Sequence, residues 1–356
     1  MSKVSGYIGH GPRISHYRWR DLNLLALENE KIRLVIWLDH GADILEFRHK
    51  PSDIDALWKN PQVYPPVRQA LDQPHEGRSE FYDTFHGGWF ISMPNGFFPA
   101  HYYGAPIGCH GDMQSIPWEV THEVESPERA EIQLTGRSRR TPLTMTRKLT
   151  LSPDEAWVSI EDTVGNRSTQ RLAIAWAQHT TFGGPLIEGA ELVTGARKLS
   201  VPPADRPELS QLVPEYVGKW PFAREQATGN LRDCSRVAPA GSEIEHVVQL
   251  TGWETGWGCV WNEGRELGFG LRWDEAQFPY AWSWSAGRGT DTYPIWGSCN
   301  TITLQPGTSP LLPFEKLIER NEVAWIEDSG TLSTSITAGF VNHRDEMLEA
   351  ANRMCI

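Results

Sequence analysis

A chain of 356 residues is long enough to bury a large core, either as one big all-β domain or as two smaller units. Its formal net charge of −12 argues against a nucleic-acid partner, because phosphate backbones are held by clustered Lys and Arg, and the tightest basic group here is Arg137, Arg139 and Arg140 on a turn. Hydrophobic content of 39%, apolar runs far short of a membrane span and a polar Met1–Gly6 without a signal core predict a soluble, cytoplasmic protein with no membrane partner.

Taken in order, the chain reads as strand after strand. Residues 23–29 and 32–37 are apolar segments separated by Asn29-Glu30-Lys31, a hairpin pattern, and 41–48 continues in near alternation. From about Trp58 to Gly108 the periodicity fails among prolines, glycines and aromatics, which predicts long, function-bearing loops. Alternation resumes at 118–124, 131–135, 143–151 and 156–164, the signature of an antiparallel meander. A turn at 165–168 leads into the apolar run 172–176, read as a buried strand. Between Val201 and Ala240 no period is convincing, which predicts a second excursion over the surface. Residues 243–250, 257–261, 267–273 and 301–304 read as further strands, and only 342–353 has helical spacing. Strands without intervening helices over this length predict a large antiparallel β-sandwich with a short C-terminal helix, spanning 1–356 as one domain. The five cysteines, odd in number and without a CxxC pair, fit reduced thiols rather than disulfides or a zinc site.

Three histidines stand beside glycines that let a ligand approach the backbone: His86 before Gly87-Gly88, His110 before Gly111, and His179 ahead of Gly183-Gly184. A histidine at a strand end that faces open space can serve as general acid or base near neutral pH, and His179 directly follows the apolar run ending at Trp176. Sixteen tryptophans are the loudest compositional signal, and seven of them crowd the stretch from Trp253 to Trp296. An indole offers a flat apolar face with an N–H at its edge, which suits a pyranose ring, so about a third are expected to line a cleft and the rest to fill the core.

Several motifs resemble, in order, the landmarks of the aldose 1-epimerase (galactose mutarotase-like) superfamily. They are Leu27-Glu28-Asn29-Glu30, Gly41-Ala42-Asp43-Ile44, His110-Gly111 with Pro117-Trp118, and Gln178-His179-Thr180-Thr181-Phe182. The strings 267–273 and 278–284 look most like a divergent bacterial branch of it. The resemblance implies a β-supersandwich with a sugar cleft, and an activity that interconverts sugar anomers. By position in the motif, His179 looks like the family's general acid and His110 like the histidine that holds the substrate near the ring oxygen. The family's base is a glutamate on a late strand, and Gln305 stands in the comparable string. An amide cannot serve as that base, and losing a general base costs about 10²–10⁴-fold in rate.

Asp112, two residues after His110, is therefore the first substitute carboxylate, followed by Asp83, Asp274 and Asp291. Trp89, Asn95 and Trp284 can supply stacking and hydrogen bonds, and Arg78 or Arg288 can meet an acidic or phosphorylated sugar. His86, His110 and His179 show no close ligand spacing, so no metal and no cofactor is expected. The expected partner is a small-molecule sugar, with self-association of the chain left open. Two other readings accompany the isomerase: a non-catalytic sugar-binding protein, favoured by Gln305, and a lyase or keto-sugar isomerase on the same scaffold.

Overall fold

The computed structural model describes residues 11–66, 79–203, 211–343 and 346. Strands dominate because apolar and polar residues alternate over long stretches with β-branched residues among them. Along Leu143–Leu151 every second side chain is buried while Thr144, Thr146, Lys148 and Thr150 face outward. Eight such strands form one antiparallel sheet, in the order Glu191–Thr194, Gly256–Asn262, Leu267–Trp273, Thr331–Val341, Trp157–Asn166, Leu143–Leu151, Arg129–Arg137 and Trp118–Ser126.

The second sheet has twelve strands. Six of them position the site: β1 (Asp43–His49), β2 (Trp89–Ser92), β3 (Ala177–Phe182), β4 (Glu245–Thr251), β5 (Tyr280–Ala286) and β6 (Thr301–Gly307). In space they run β1-β2-β3-β6-β5-β4, so strands far apart in sequence become neighbours. Two short α-helices, α1 (Ser79–Thr84) and α2 (Phe314–Glu319), three two-stranded sheets and three 3-10 turns complete the regular structure among the described residues.

The two sheets pack face to face. Phe47 of β1 and Phe182 of β3 meet Phe269 of the eight-stranded sheet with ring centroids 4.7 and 5.6 Å apart, and Phe340 closes the cluster. One polar network crosses this core. The Arg147 guanidinium donates to both carboxylate oxygens of Asp162 at 2.8 and 2.7 Å. Gln178 of β3 joins them: its Nε2 donates to Asp162, and its Oε1 accepts from Arg147 and from Trp89 Nε1. All four side chains are buried, so the network ties β2 and β3 to the opposite sheet in one register.

The all-β sandwich and its antiparallel meander are as the sequence predicts. The stretch from Trp58 to Gly108 is less irregular than expected, since it holds α1, the central strand β2 and a small hairpin of Ala100–Tyr102 with Ala105–Ile107. All four residues of β2 are buried, so no alternation marks it. The same cause hides the true position of His179. Leu172–Ile174 is a separate short strand paired with Ala324–Ile326, and His179 lies within β3 rather than beyond a strand end. The 201–240 excursion carries short strands at Val217–Lys219, Phe222–Arg224 and Leu231–Asp233. The helix expected at 342–353 falls, apart from residues 342, 343 and 346, outside the described residues.

Candidate functional site

Side chains alternate along β3, so Gln178, Thr180 and Phe182 enter the core while His179 and Thr181 face the other side of the sheet. Ala177 pairs with Gly307 and Thr180 with Leu304, which sets His179 across from Gln305 on β6. Gln305 in turn pairs with Trp282 on β5, and Trp282 with Gln249 on β4. On the other side His179 pairs with Phe90 of β2. The result is one row of side chains, Phe90, His179, Gln305, Trp282 and Gln249, across the outer face of five strands.

His110 joins this row from a loop. Its backbone has φ near +60°, a region that costs most residues energy, and the following Gly111 has φ of +79°. A Cβ on Gly111 would lie 1.8 Å from the Met93 carbonyl oxygen, so only glycine lets the loop close against Met93. That closure brings His110 Nδ1 within 3.0 Å of Ser92 Oγ on β2. The His110 and His179 rings then stand 5.0 Å apart, edge to face. His179 is stacked on Phe90 at 4.2 Å, and its Nδ1 is 3.2 Å from Thr181 Oγ1.

Burial among aromatic rings disfavours a charged imidazole. It pushes His179 down to about 3, and His110 well below its ordinary value, with the neighbouring His179 adding to the effect. Both rings are therefore neutral at physiological pH. Gln305 fits that state: its Nε2 donates to Thr303 Oγ1 at 2.8 Å, and no carboxylate stands opposite His179 to favour an imidazolium.

His179, Gln305 and Trp282 of this row, with His110, line a cavity of about 280 Å³. Phe81 and Tyr82 of α1 with Phe85 wall one side, Trp282 and Trp284 the other, and Glu245 and Gln211 add polar groups. Trp284 Nε1 donates to Glu245 Oε1 at 2.9 Å. Glu245 is the one carboxylate among the described lining residues, and no Lys or Arg is among them. It sits on β4, three strand spacings of about 4.8 Å from β3, so it serves the far end of the cavity rather than the place opposite His179.

The structure brings His110, His179, Gln305 and Trp284 to one cavity, and the other expected site residues that are described do not line it. Asp112 is not among the cavity-lining residues and anchors a loop: its buried Oδ2 accepts from Ser138 Oγ and from the Arg139 and Arg140 amides. Trp89 faces the core and donates to Gln178, because it precedes Phe90 on a strand whose alternate residues face opposite ways. Asn95 spends its Nδ2 on the Gly96, Phe98 and Gly108 carbonyls, holding the loop that carries His110. His86 turns away from the cavity to a buried cluster with His40 and Asp43. Asp291 is exposed and paired with Arg288, which also meets Glu243, and Asp83 accepts from the Tyr293 hydroxyl. Asp274 Oδ1 accepts from the Ala276 amide in a turn. Arg78 lies outside the described residues.

Glu245, Trp282, Gln211 and the aromatic wall of Phe81, Tyr82 and Phe85 were not anticipated as site residues. Alternation along 245–250 would have grouped Glu245, Val247 and Gln249 on one face, but nothing in the sequence shows that this strand pairs with β5.

The fold is that of the galactose mutarotase-like β-sandwiches. The chain belongs to the family described as a domain of unknown function, DUF4432, which matches residues 20–339. Among solved structures, a candidate aldose 1-epimerase from Klebsiella pneumoniae subsp. pneumoniae superposes with a TM-score of 0.72 at 15% identity, over 96% of this chain and 90% of that one. A galactose mutarotase-like protein from Clostridium acetobutylicum gives 0.63 at 13% identity over 93% and 99% of the two chains. Another from Lactobacillus casei gives 0.61 at 13% identity over 89% and 100%. No curated protein matches the sequence. No helix among the described residues is long and apolar enough to cross a membrane, and none of the four described cysteines forms a disulfide.

Proposed function

We propose that the cavity binds a sugar and that His110 and His179 interconvert its anomers. The observation that carries this reading is the pair of neutral imidazoles 5.0 Å apart on a cavity floor flanked by Trp282 and Trp284. An indole face can stack on a pyranose while Glu245, Gln211 and Gln305 take its hydroxyls. The absence of Lys and Arg among the described lining residues favours a neutral sugar over a phosphorylated or acidic one.

A neutral pair can run the reaction on one proton. One imidazole accepts the proton of the anomeric hydroxyl as the C1–O5 bond breaks, and the resulting imidazolium returns it to O5. The free aldehyde rotates about C1–C2, and the reverse steps close the ring as the other anomer. No net proton is consumed, and no carboxylate is required at position 305. Because a base with a depressed pKa is a weak one, this route is slower than one with a glutamate opposite.

Gln305 also favours a second reading, a sugar-binding protein without turnover. Exchange NMR on neutral, uronic and phosphorylated sugars separates the two. Accelerated anomer exchange that is lost in His179→Ala supports the isomerase. Line broadening without acceleration supports the binding protein, and neither effect on any sugar overturns both.

A further inference from the structure

A second cluster of functional side chains lies outside the cavity. His40, Asp43 and His86 are all buried, and one ligand atom from each falls within 4.8 Å of the others. His40 Nδ1 is 2.8 Å and His86 Nε2 3.6 Å from the same Asp43 oxygen, Oδ2. Three polar atoms here have no hydrogen-bond partner: His40 Nε2, His86 Nε2 and Asp43 Oδ1. Leaving such an atom unpaired in a protein interior costs about 1–3 kcal/mol, and two of the three, His86 Nε2 and Asp43 Oδ1, belong to the cluster formed with His40 Nδ1, so an occupant there would partner both.

The local chain is built to hold them together. Gly41 and Ala42 both have positive φ, +62° and +52°, and fold His40 back onto Asp43. A Cβ on Gly41 would lie 2.6 Å from Asp43 Oδ1, so the turn accepts only glycine there. Trp37 stacks on His40 at 4.8 Å and packs edge-on to His86 at 5.3 Å, which fixes both ring planes.

We propose that His40, Asp43 and His86 form a structural site for a divalent transition metal, Zn²⁺ foremost. Two imidazoles and a carboxylate are a ligand set that Zn²⁺ takes readily. A tetrahedral ion bound at about 2.0–2.1 Å spaces its ligand atoms about 3.3 Å apart, between the 2.8 and 3.6 Å found here. The second Asp43 oxygen or a water completes the shell. Burial leaves no room for a substrate, so the ion serves to hold structure. It links the turn entering β1 to the segment entering β2, two strands whose direct pairing is limited to Ile44 with Trp89. Phe85, next to His86, is part of the cavity wall.

The test is metal content of the untagged full chain by mass spectrometry, together with melting of the chelator-stripped protein with and without added Zn²⁺. The expected result is about one equivalent retained per chain and a melting temperature raised by about 5 °C or more on Zn²⁺ addition, both lost in His86→Gln and His40→Gln. Retention below about a tenth of an equivalent with unchanged melting overturns the site, as does equal retention by a folded His86→Gln protein. Should the variants not fold, the visible spectrum of the Co²⁺-loaded wild type decides. Intense tetrahedral bands support the site, whereas the weak spectrum of an octahedral ion, or no uptake, overturns it.

Discussion

His179 and Gln305 face each other across adjacent strands, β3 and β6, with an amide where an acid–base partner for the imidazole would stand. Substituting the amide by a carboxylate at this position changes charge with almost no change in shape. Gln305→Glu is therefore expected to raise the His179 pKa from about 3 toward its ordinary value, since an adjacent anion favours the imidazolium. It should accelerate anomer exchange about 10²-fold or more near neutral pH, the usual contribution of a general base. Exchange NMR reads the rate, and the histidine ring resonances read the pKa. An unchanged rate with a raised pKa would show that the base is not what limits this site.

The depressed histidines also make stability depend on pH. His179 and His246 are held neutral by burial down to about 3 and 4, and His110 is lowered likewise, while in the unfolded chain each takes a proton near 6.5. The unfolded state thus binds more protons below 6.5, so their contribution is complete above that pH and is lost as pH falls toward 4. Each histidine contributes about 1.4 kcal/mol per pH unit within the window. Urea unfolding at about pH 7.5 and pH 5 should show a fall of several kcal/mol. Equal stability at the two values would mean that these rings are protonated in the folded protein.

Asp162→Ala removes one half of the ion pair buried between the sheets and leaves the Arg147 guanidinium uncompensated. Stranding a buried charge costs about 3–5 kcal/mol, enough to lower the unfolding midpoint sharply. The double variant Asp162→Ala with Arg147→Met should recover part of the loss, because no charge is then left unpaired. A double variant no more stable than the single one would count against this account.

Asp112→Ala should destabilise the protein by about 1–3 kcal/mol, since the Ser138 hydroxyl and two backbone amides lose their acceptor. Sugar binding and anomer exchange should persist, because the carboxylate does not border the cavity. Loss of exchange in a protein that remains folded would return Asp112 to the reaction.

The sandwich was legible because its outer strands alternate: the run from Leu143 to Leu151 shows its buried face in the sequence alone. Strands buried on both faces escaped that signal, which is why β2 was expected to be loop and β3 was displaced from His179. The motif histidines His110 and His179 and the amide Gln305, singled out in the sequence, line one cavity. Trp89 and Phe90 show why the rest was not. They are adjacent in sequence, yet one enters the core and the other stacks on His179, and a one-residue offset along a strand decides which. His86 looked equivalent to His110 because both precede glycine, but where each loop closes depends on contacts with Asp43 and Ser92 that lie far away in the chain.

The row from Phe90 to Gln249 has a further consequence for how such a protein diversifies. Its positions are set by backbone bonds between five strands, and each side chain in it comes from a different segment of the chain. The lattice thus behaves as a set of separately fitted sockets, in which the occupant at 305 can be exchanged while its neighbours keep their places. A lineage built on this plan can gain, weaken or redirect a reaction by single steps, without refolding the scaffold that carries it.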